Sequence, residues 1–427
     1  MSSLSSQASL FIKPPLHVLE VLGNAIVGGM ETWVVRMVER LPAERFRVSV
    51  VCPFESALTE RLRAMGLSVY ILPMPDELAW NAVNQLRVLV ESHRVDLLHA
   101  HLPNAHLLAG VAGRLAGRPV LTTVHGRQIS LADLEMHRAV ASHLSVVCRH
   151  TYLHALGLGV TPDHLTCDPN GVDTNIFSPR RSRGTLRRNL KLPPSALLVG
   201  FVGRLSMEKG PEVLVRAALL LRQALPDAHV VFVGEGPCRA TLEAQIASLD
   251  LCPWVHLLGV REDMPALYSE LDVLASTSYS EAMPLAIMEA MACGLPVVAT
   301  RVGGVPDMVQ HGHTGWLVAP GDYEDLARML VALLLDGGLR QAMGTAARRH
   351  AMNHWQLDAC VARLGGLLER LSGSRTALHH AQDPRDRDSL ENAADTAGFL
   401  APQPGAALNR AGTQFAANGL HHLPEEP

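Results

Sequence analysis

The sequence predicts an α/β chain made of two doubly wound halves, each a parallel sheet covered by helices, with a ligand cleft between them. Three observations carry this. Strand-like apolar runs alternate with amphipathic helical patterns from residue 16 to residue 350, the order that produces parallel sheets. The alternation breaks once, over residues 171 to 195, and restarts at Leu197. The length of 427 residues exceeds what one hydrophobic core usually serves.

In the first half, residues 1 to 170, Leu16 to Leu22 reads as a strand whose apolar run is interrupted by His17 and Glu20, and it turns through Gly23, Gly28 and Gly29. The pattern of Glu31 to Arg40 predicts a helix, and strands follow at Phe46 to Cys52 and Ser68 to Leu72. A helix over Trp80 to Ser92, a strand at Val95 to His99, a helix over Asn104 to Leu115 and a strand at Pro119 to His125 continue the series. Leu144 to Cys148 and Leu165 to Pro169 close it. Residues 171 to 195 read as a connection, in which Arg180 to Arg188 and the pair Pro193 and Pro194 suit an exposed crossover with a basic, solvated face.

The second half, residues 196 to 352, restarts with a strand at Leu197 to Val202 and a helix over Pro211 to Leu225. Strands are expected at Val230 to Val233, Trp254 to Leu258, Leu271 to Ala275, Pro296 to Thr300 and Gly315 to Val318. Helices over Tyr323 to Leu335 and Leu339 to His350 complete it. Residues 353 to 371 read as a last apolar helix beginning near Trp355. Residues 372 to 427, rich in alanine, proline and charge without period, read as a flexible tail.

Composition narrows the function. The chain is 48% apolar and 18% charged with a formal charge of -4, which provides no broad basic footprint for nucleic acid. Seven scattered cysteines form no close metal-ligand pairs and read as reduced core or near-surface residues. His99 and His101 alternate as on a strand, and a sheet-core or cleft-wall role suits them at least as well as direct chemistry. No HExxH, Walker A or full GxGxxG pattern occurs, which disfavours zinc proteolysis, phosphoanhydride hydrolysis and nicotinamide chemistry. The N-terminal residues lack a secretory apolar core and no apolar span reaches bilayer length. The expectation is a cytoplasmic protein, soluble or held peripherally at the inner face of a membrane.

Chemistry concentrates in Ser278 to Thr300, SYSEAMPLAIMEAMACGLPVVAT. Glu281 precedes an apolar helix and Glu289 lies within it, an arrangement that suits different hydroxyls of one ligand, with a solvated glutamate and a paired helix carboxylate as the alternative. Pro284 suits the first helical turn, where its missing amide proton costs little, and the free main-chain amides before it suit an anion. Gly203 to Gly210, carrying Arg204 and Lys209, lies between a strand and a helix, where cations and amides stabilise a diphosphate. Gly28 and Gly29 permit close approach of a ligand to the backbone.

These motifs resemble the retaining glycosyltransferases of family 4, which have two Rossmann-like domains and an interdomain active-site cleft, the GT-B architecture. Supporting matches are Gly28 and Gly29, His99 and His101, His125, Pro169 to Asp173, Gly203 to Gly210, Gly234 to Pro237, and Gly303 with Gly304, spanning roughly residues 16 to 371. The resemblance implies hexosyl transfer from a nucleoside-diphosphate sugar, with UDP the favoured nucleotide, and retention of anomeric configuration by front-face substitution in which the leaving phosphate helps deprotonate the acceptor. It assigns Arg204 and Lys209 to the diphosphate, Glu289 to the ribose, and Glu281 and His125 to the hexose. Gly28, Gly29, Met283, Pro284 and Leu285 join the donor site.

The implied acceptor is a glycan or lipid-linked glycan, with a small molecule as the alternative. No cofactor and no metal are implied, because the chain lacks a convincing DxD carboxylate site. Nucleotide-sugar hydrolysis or epimerisation and noncatalytic sugar binding are the competing readings. Ala282 departs from the glycine common after the first glutamate, which leaves donor preference open. The resemblance also implies that the last helix packs back across the first half.

Overall fold

A computed structural model describes residues 14–380. Among them, the first sheet contains β1 (Leu16–Leu22), β2 (Phe46–Cys52), β3 (Ser68–Ile71), β4 (Leu97–His101), β5 (Val120–Val124), β6 (His143–Val146) and β7 (Leu165–Cys167). Every pairing is parallel, and the order is β3-β2-β1-β4-β5-β6-β7. The second sheet contains β8 (Leu197–Val202), β9 (Ala228–Val233), β10 (Val255–Leu257), β11 (Val273–Ser276), β12 (Val297–Thr300) and β13 (Gly315–Val318), in the order β10-β9-β8-β11-β12-β13. It too is parallel throughout.

Helices cover both faces, so the strands are apolar along their length; all six residues of β9 are buried. Strand order reverses between β1 and β4 and again between β8 and β11. Such reversal leaves a crevice beyond the carboxyl ends of the strands, which is where loops bearing polar side chains can meet a ligand.

The chain crosses back after the second half. Val172 donates its amide to the Trp355 carbonyl at 2.8 Å, and Leu357 donates to Val172 at 3.0 Å. Trp355 is buried in the second core and meets His350 edge-on, whereas Leu357, Val361, Leu364 and Leu368 pack with Trp33, Val34 and Phe46 of the first. This helix, Leu357–His380, continues beyond residue 372, where the tail was expected to begin. The rest of that tail lies outside the described residues.

Several boundaries differ from expectation. β4 starts at Leu97 because Arg94 turns with φ 53° and the Val95 amide closes onto the Val90 carbonyl of the preceding helix. The helix Gly337–His354 starts before Leu339 because the Asp336 carboxylate caps it at the Leu339 amide. Helices Ala57–Ala64, Arg149–Gly157 and Arg239–Ser248 bury only two or three side chains each, too few for a periodic signal.

The connection also departs from a wholly solvated basic face. Arg187, in the short helix Thr185–Asn189, donates to the Ala196 and Glu270 carbonyls and to Asp272 Oδ2 at 2.8, 2.7 and 2.9 Å. Two carboxylates at the edge of the second half draw this arginine inward. No helix among the described residues is long and apolar enough to cross a membrane.

Candidate functional site

β8 leads into Gly203 to Gly210, and β11 leads into the segment before Glu281. Gly210 joins these loops. At φ 57° it occupies the left-handed region, and a side chain there would overlap the Thr277 carbonyl. Thr277 Oγ1 donates to the Gly210 and Lys209 carbonyls at 2.7 and 3.1 Å, while Tyr279 donates its amide to Glu208 at 2.8 Å. The clamped loops bring Lys209 Nζ to 2.7 Å from Glu281 Oε1. Ser278 Oγ donates to the same oxygen at 2.7 Å. Oε2 has no hydrogen-bond partner among the described residues.

Arg204 is exposed, and no described residue pairs with its guanidinium. It is available to an anion while Lys209 is held by Glu281.

Pro284 lies at the N-cap of the helix Leu285–Ala292, with ψ 122°, rather than in its first turn. The extended ψ places it just outside the helical hydrogen-bonding register. Ala282 and Met283 are buried in the core, so they offer a ligand their main chain alone. Leu285 is partly buried against the same cluster. The Ile287 amide closes onto the Pro284 carbonyl at 3.2 Å, which leaves the Leu285 and Ala286 amides as the free donors of the first turn.

Glu289 lies deeper, with Oε1 2.6 Å from Arg36 Nη2 and Oε2 accepting from Tyr268 Oη at 3.0 Å. Burial pushes its carboxyl above the ordinary value, and Arg36 opposes that shift. Burial, followed by the neighbouring Glu289, raises the Tyr268 phenol well above its ordinary value. Arg36 also lies over the Phe177 ring at 5.2 Å, and its Nη1 is buried without a protein partner. Thus Glu289 receives a first-half arginine that sequence reasoning missed, separated from it by 253 positions.

Gly303 marks a second approach. It has φ 48°, and an added Cβ would overlap the Glu281 carbonyl and meet Arg127 Cγ at 3.0 Å. The next amide, from Gly304, donates to that carbonyl at 3.3 Å. A first-half loop carrying Arg127 therefore lies against the Glu281 loop. His125 is two residues before Arg127, immediately after β5.

Gly28 is the N-cap of helix Gly29–Arg40, and the Thr32 amide donates to its carbonyl at 3.0 Å. Both Gly28 and Gly29 are exposed, and nothing lies within 4 Å of an added Gly29 Cβ. Asp173 caps the Asn175 and Ile176 amides and pairs with Arg40.

Under His125 lies a polar network crossing the β1–β4–β5 switch point. Glu20 Oε2 lies 3.0 Å from His99 Nδ1 and 2.8 Å from His101 Nε2. His99 Nε2 meets Thr123 Oγ1 at 2.8 Å, and His101 Nδ1 meets His125 Nε2 at 2.9 Å. Glu20, His99 and His101 are fully buried, so they form the wall and not the contact surface. Burial raises the Glu20 carboxyl, but His99 and His101 outweigh it and bring it to about 2. Burial and neighbouring His99 lower His101 to about 4. The ligand atoms of this trio lie within 4.8 Å of one another, although each imidazole nitrogen already has a protein partner. A carboxylate interrupting an apolar strand was the visible signal for Glu20.

The arrangement joins an anion-ready loop, two differently held carboxylates and a sheltered histidine at two switch points. The family described as Glycosyl transferases group 1 matches residues 182–350, and Glycosyltransferase Family 4 matches residues 27–176. A D-inositol 3-phosphate glycosyltransferase of Salinispora arenicola is 32% identical, covering 83% of this chain and 88% of the relative. A GDP-mannose-dependent alpha-(1-6)-phosphatidylinositol monomannoside mannosyltransferase of Mycolicibacterium smegmatis is 30% identical, covering 72% and 83%. The structure of Anabaena HepE in complex with UDP-glucose aligns with a TM-score of 0.74 at 24% identity, covering 83% of this chain and 100% of that one. At that identity the structural likeness shows the fold.

Proposed function

This chain belongs to the group 1, family 4 glycosyltransferases, and we propose that it transfers a hexosyl group from a UDP-sugar to a glycan or lipid-linked glycan, with retention. The observation carrying this reading is Lys209 joined to Glu281 at the β8–β11 switch point, with the exposed Arg204 on the same loop as Lys209. Positive groups at that place meet the charge that accumulates on the diphosphate as its bond to the sugar breaks. Free amides at the start of Leu285–Ala292 add donors without adding a second charge.

Glu281 then holds a hexose hydroxyl, with Lys209 and Ser278 orienting its other oxygen. Double displacement would need a carboxylate placed on the opposite face of the sugar, and the family resemblance favours front-face substitution instead. Glu289 accepts ribose hydroxyls through its remaining lone pairs. Arg36 and Tyr268 orient that carboxylate, and His125 approaches the hexose from the first half. The leaving phosphate takes the acceptor proton. Relatives differ in donor nucleotide: the Mycolicibacterium enzyme is named for GDP-mannose, whereas an Escherichia coli relative at 27% identity is named for UDP-Gal.

The deciding experiment incubates the purified chain with isotopically labelled UDP- and GDP-sugars and a panel of polyprenyl-diphosphate, inositol-phosphate and oligosaccharide acceptors. Nuclear magnetic resonance then reads linkage and anomeric configuration. A retained product from UDP-sugar supports the proposal; inversion, exclusive GDP-sugar use, or release of free sugar without transfer overturns its corresponding part.

A further inference from the structure

We propose that Glu20 and His101 are positioning residues that hold the His125 imidazole in its Nε2-protonated tautomer, leaving Nδ1 bare to accept a hydroxyl of the donor hexose. The proposal rests on the donor reading above, but its physical basis is independent of the reaction. Three partners form a directed hydrogen-bond chain. An ionised Glu20 carboxylate accepts only, so the nitrogens contacting it, His99 Nδ1 and His101 Nε2, carry protons.

A neutral imidazole has one protonated nitrogen. His101 Nδ1 is therefore bare and accepts from His125 Nε2–H across 2.9 Å. On the other branch, His99 Nε2 meets Thr123 Oγ1 at 2.8 Å, and that hydroxyl can serve as donor or acceptor. Every contact then has one donor and one acceptor. Reversing the His125 tautomer would place two bare nitrogens opposite each other.

The chemical state agrees. Glu20 is lowered to about 2, and burial followed by His101 and His99 lowers His125 well below its ordinary value. At neutral pH the carboxylate is charged while His101 and His125 are neutral. No described residue bonds His125 Nδ1, and His125 as a residue is half-buried, unlike the enclosed His99 and His101. A bare nitrogen at this point discriminates for a hydroxyl donor and against an acceptor-only group.

The sequence supplies the required register. Glu20 faces His99 across β1–β4, and His101 faces Thr123 across β4–β5. Two-residue alternation along β4 puts both histidines on one face, so one carboxylate between them directs opposite branches. His125 follows β5 immediately. The relay thus transfers an orientation from the buried switch point to the loop that approaches Glu281.

The test uses the full chain with ¹⁵N-labelled histidine, assigning the His125 ring by loss of its signals in His125→Asn. The expected wild-type signature is protonated Nε2 and bare Nδ1. Glu20→Gln replaces an acceptor-only group with one that also donates, and it should redistribute that tautomer and lower donor kcat/KM about 10- to 100-fold, the scale of lost orienting partners. Affinity for UDP alone should remain, because UDP has no hexose hydroxyl. His101→Asn retains an acceptor for His125 and should keep more activity than His101→Leu, which has none.

A wild-type His125 protonated at Nδ1 overturns the proposal, as does an unchanged tautomer and kcat/KM in folded Glu20→Gln. Equal losses in the two His101 variants, or parallel loss of UDP affinity, would assign the network to packing and also overturn it. Stoichiometric metal in the purified wild type would do the same by occupying these nitrogens. If Glu20→Gln does not fold, the wild-type spectrum and the His101 pair decide. If no donor is turned over, the donor reading fails while the tautomer spectrum still tests the relay.

Discussion

Arg36 Nη2 lies 2.6 Å from Glu289 Oε1, joining a helix of the first half to the carboxylate helix of the second. The pair is mostly shielded from water, and Tyr268 holds the other carboxylate oxygen. Arg36→Ala leaves that carboxylate without its cation and should destabilise the protein by about 3 kcal/mol. Adding Glu289→Gln should recover part of the loss, because it removes the uncompensated charge. Denaturant unfolding of the two single variants and the double variant checks the coupling; additive losses would contradict it.

Arg204 and Lys209 should separate by their effects on folding. Arg204 is exposed and unpaired in the described structure, whereas Lys209 neutralises Glu281. Either alanine variant should weaken UDP binding by roughly 1.5 to 3 kcal/mol through loss of charge-assisted hydrogen bonds, about 10- to 150-fold. Only Lys209→Ala should also lower the melting temperature. Calorimetric titration and thermal unfolding distinguish the two, and unchanged affinity in both folded variants would remove them from the diphosphate site.

Gly303 and Gly312 offer a controlled comparison because both have positive φ, 48° and 80°. A Gly303 Cβ would collide with the Glu281 carbonyl, while nothing lies within 4 Å at Gly312. Gly312→Ala should therefore cost about 1 kcal/mol from backbone conformation alone. Gly303→Ala should cost more and depress transfer by shifting the Glu281 loop. Matched melting curves and initial rates test this; equal stability losses with full Gly303→Ala activity would contradict the close approach.

Local pattern made much of the fold legible. β1, β2 and β8 span the apolar runs read between turn signals, and the helix Trp80–Ser92 follows its amphipathic period. The motif loops around Lys209 and Glu281 were legible too, because strand-loop-helix order places them at one sheet edge. Their partners were not. Arg36 reaches Glu289 over 253 positions, and Glu20 reaches His99 and His101 over 79 and 81. Such pairing follows from strand order and helix docking, which local periodicity does not encode. Arg187 was misplaced on a solvated face for the same reason: Glu270 and Asp272 become its partners only after the connection folds back.

The buried Glu20 network should make folding acid-sensitive in two stages. His101 falls from an ordinary 6.5 to about 4, so the unfolded state binds its proton first and stability falls as pH drops through that interval. Glu20 falls from 4.5 to about 2, so its contribution is present above 4.5 and is lost toward 2. Both shifts have the same sign: acid favours unfolding. His99 and His125 share the network, so the observed steps belong to the group as a whole. Glu20→Gln removes the carboxylate titration and should flatten the pH dependence of stability between 4.5 and about 2, even if the variant is less stable at neutral pH. Equilibrium denaturation from pH 7 downward, at fixed ionic strength, measures that slope. A wild-type slope in this interval no steeper than that of Glu20→Gln would mean that the native carboxylate is not held in its charged form by the two histidines.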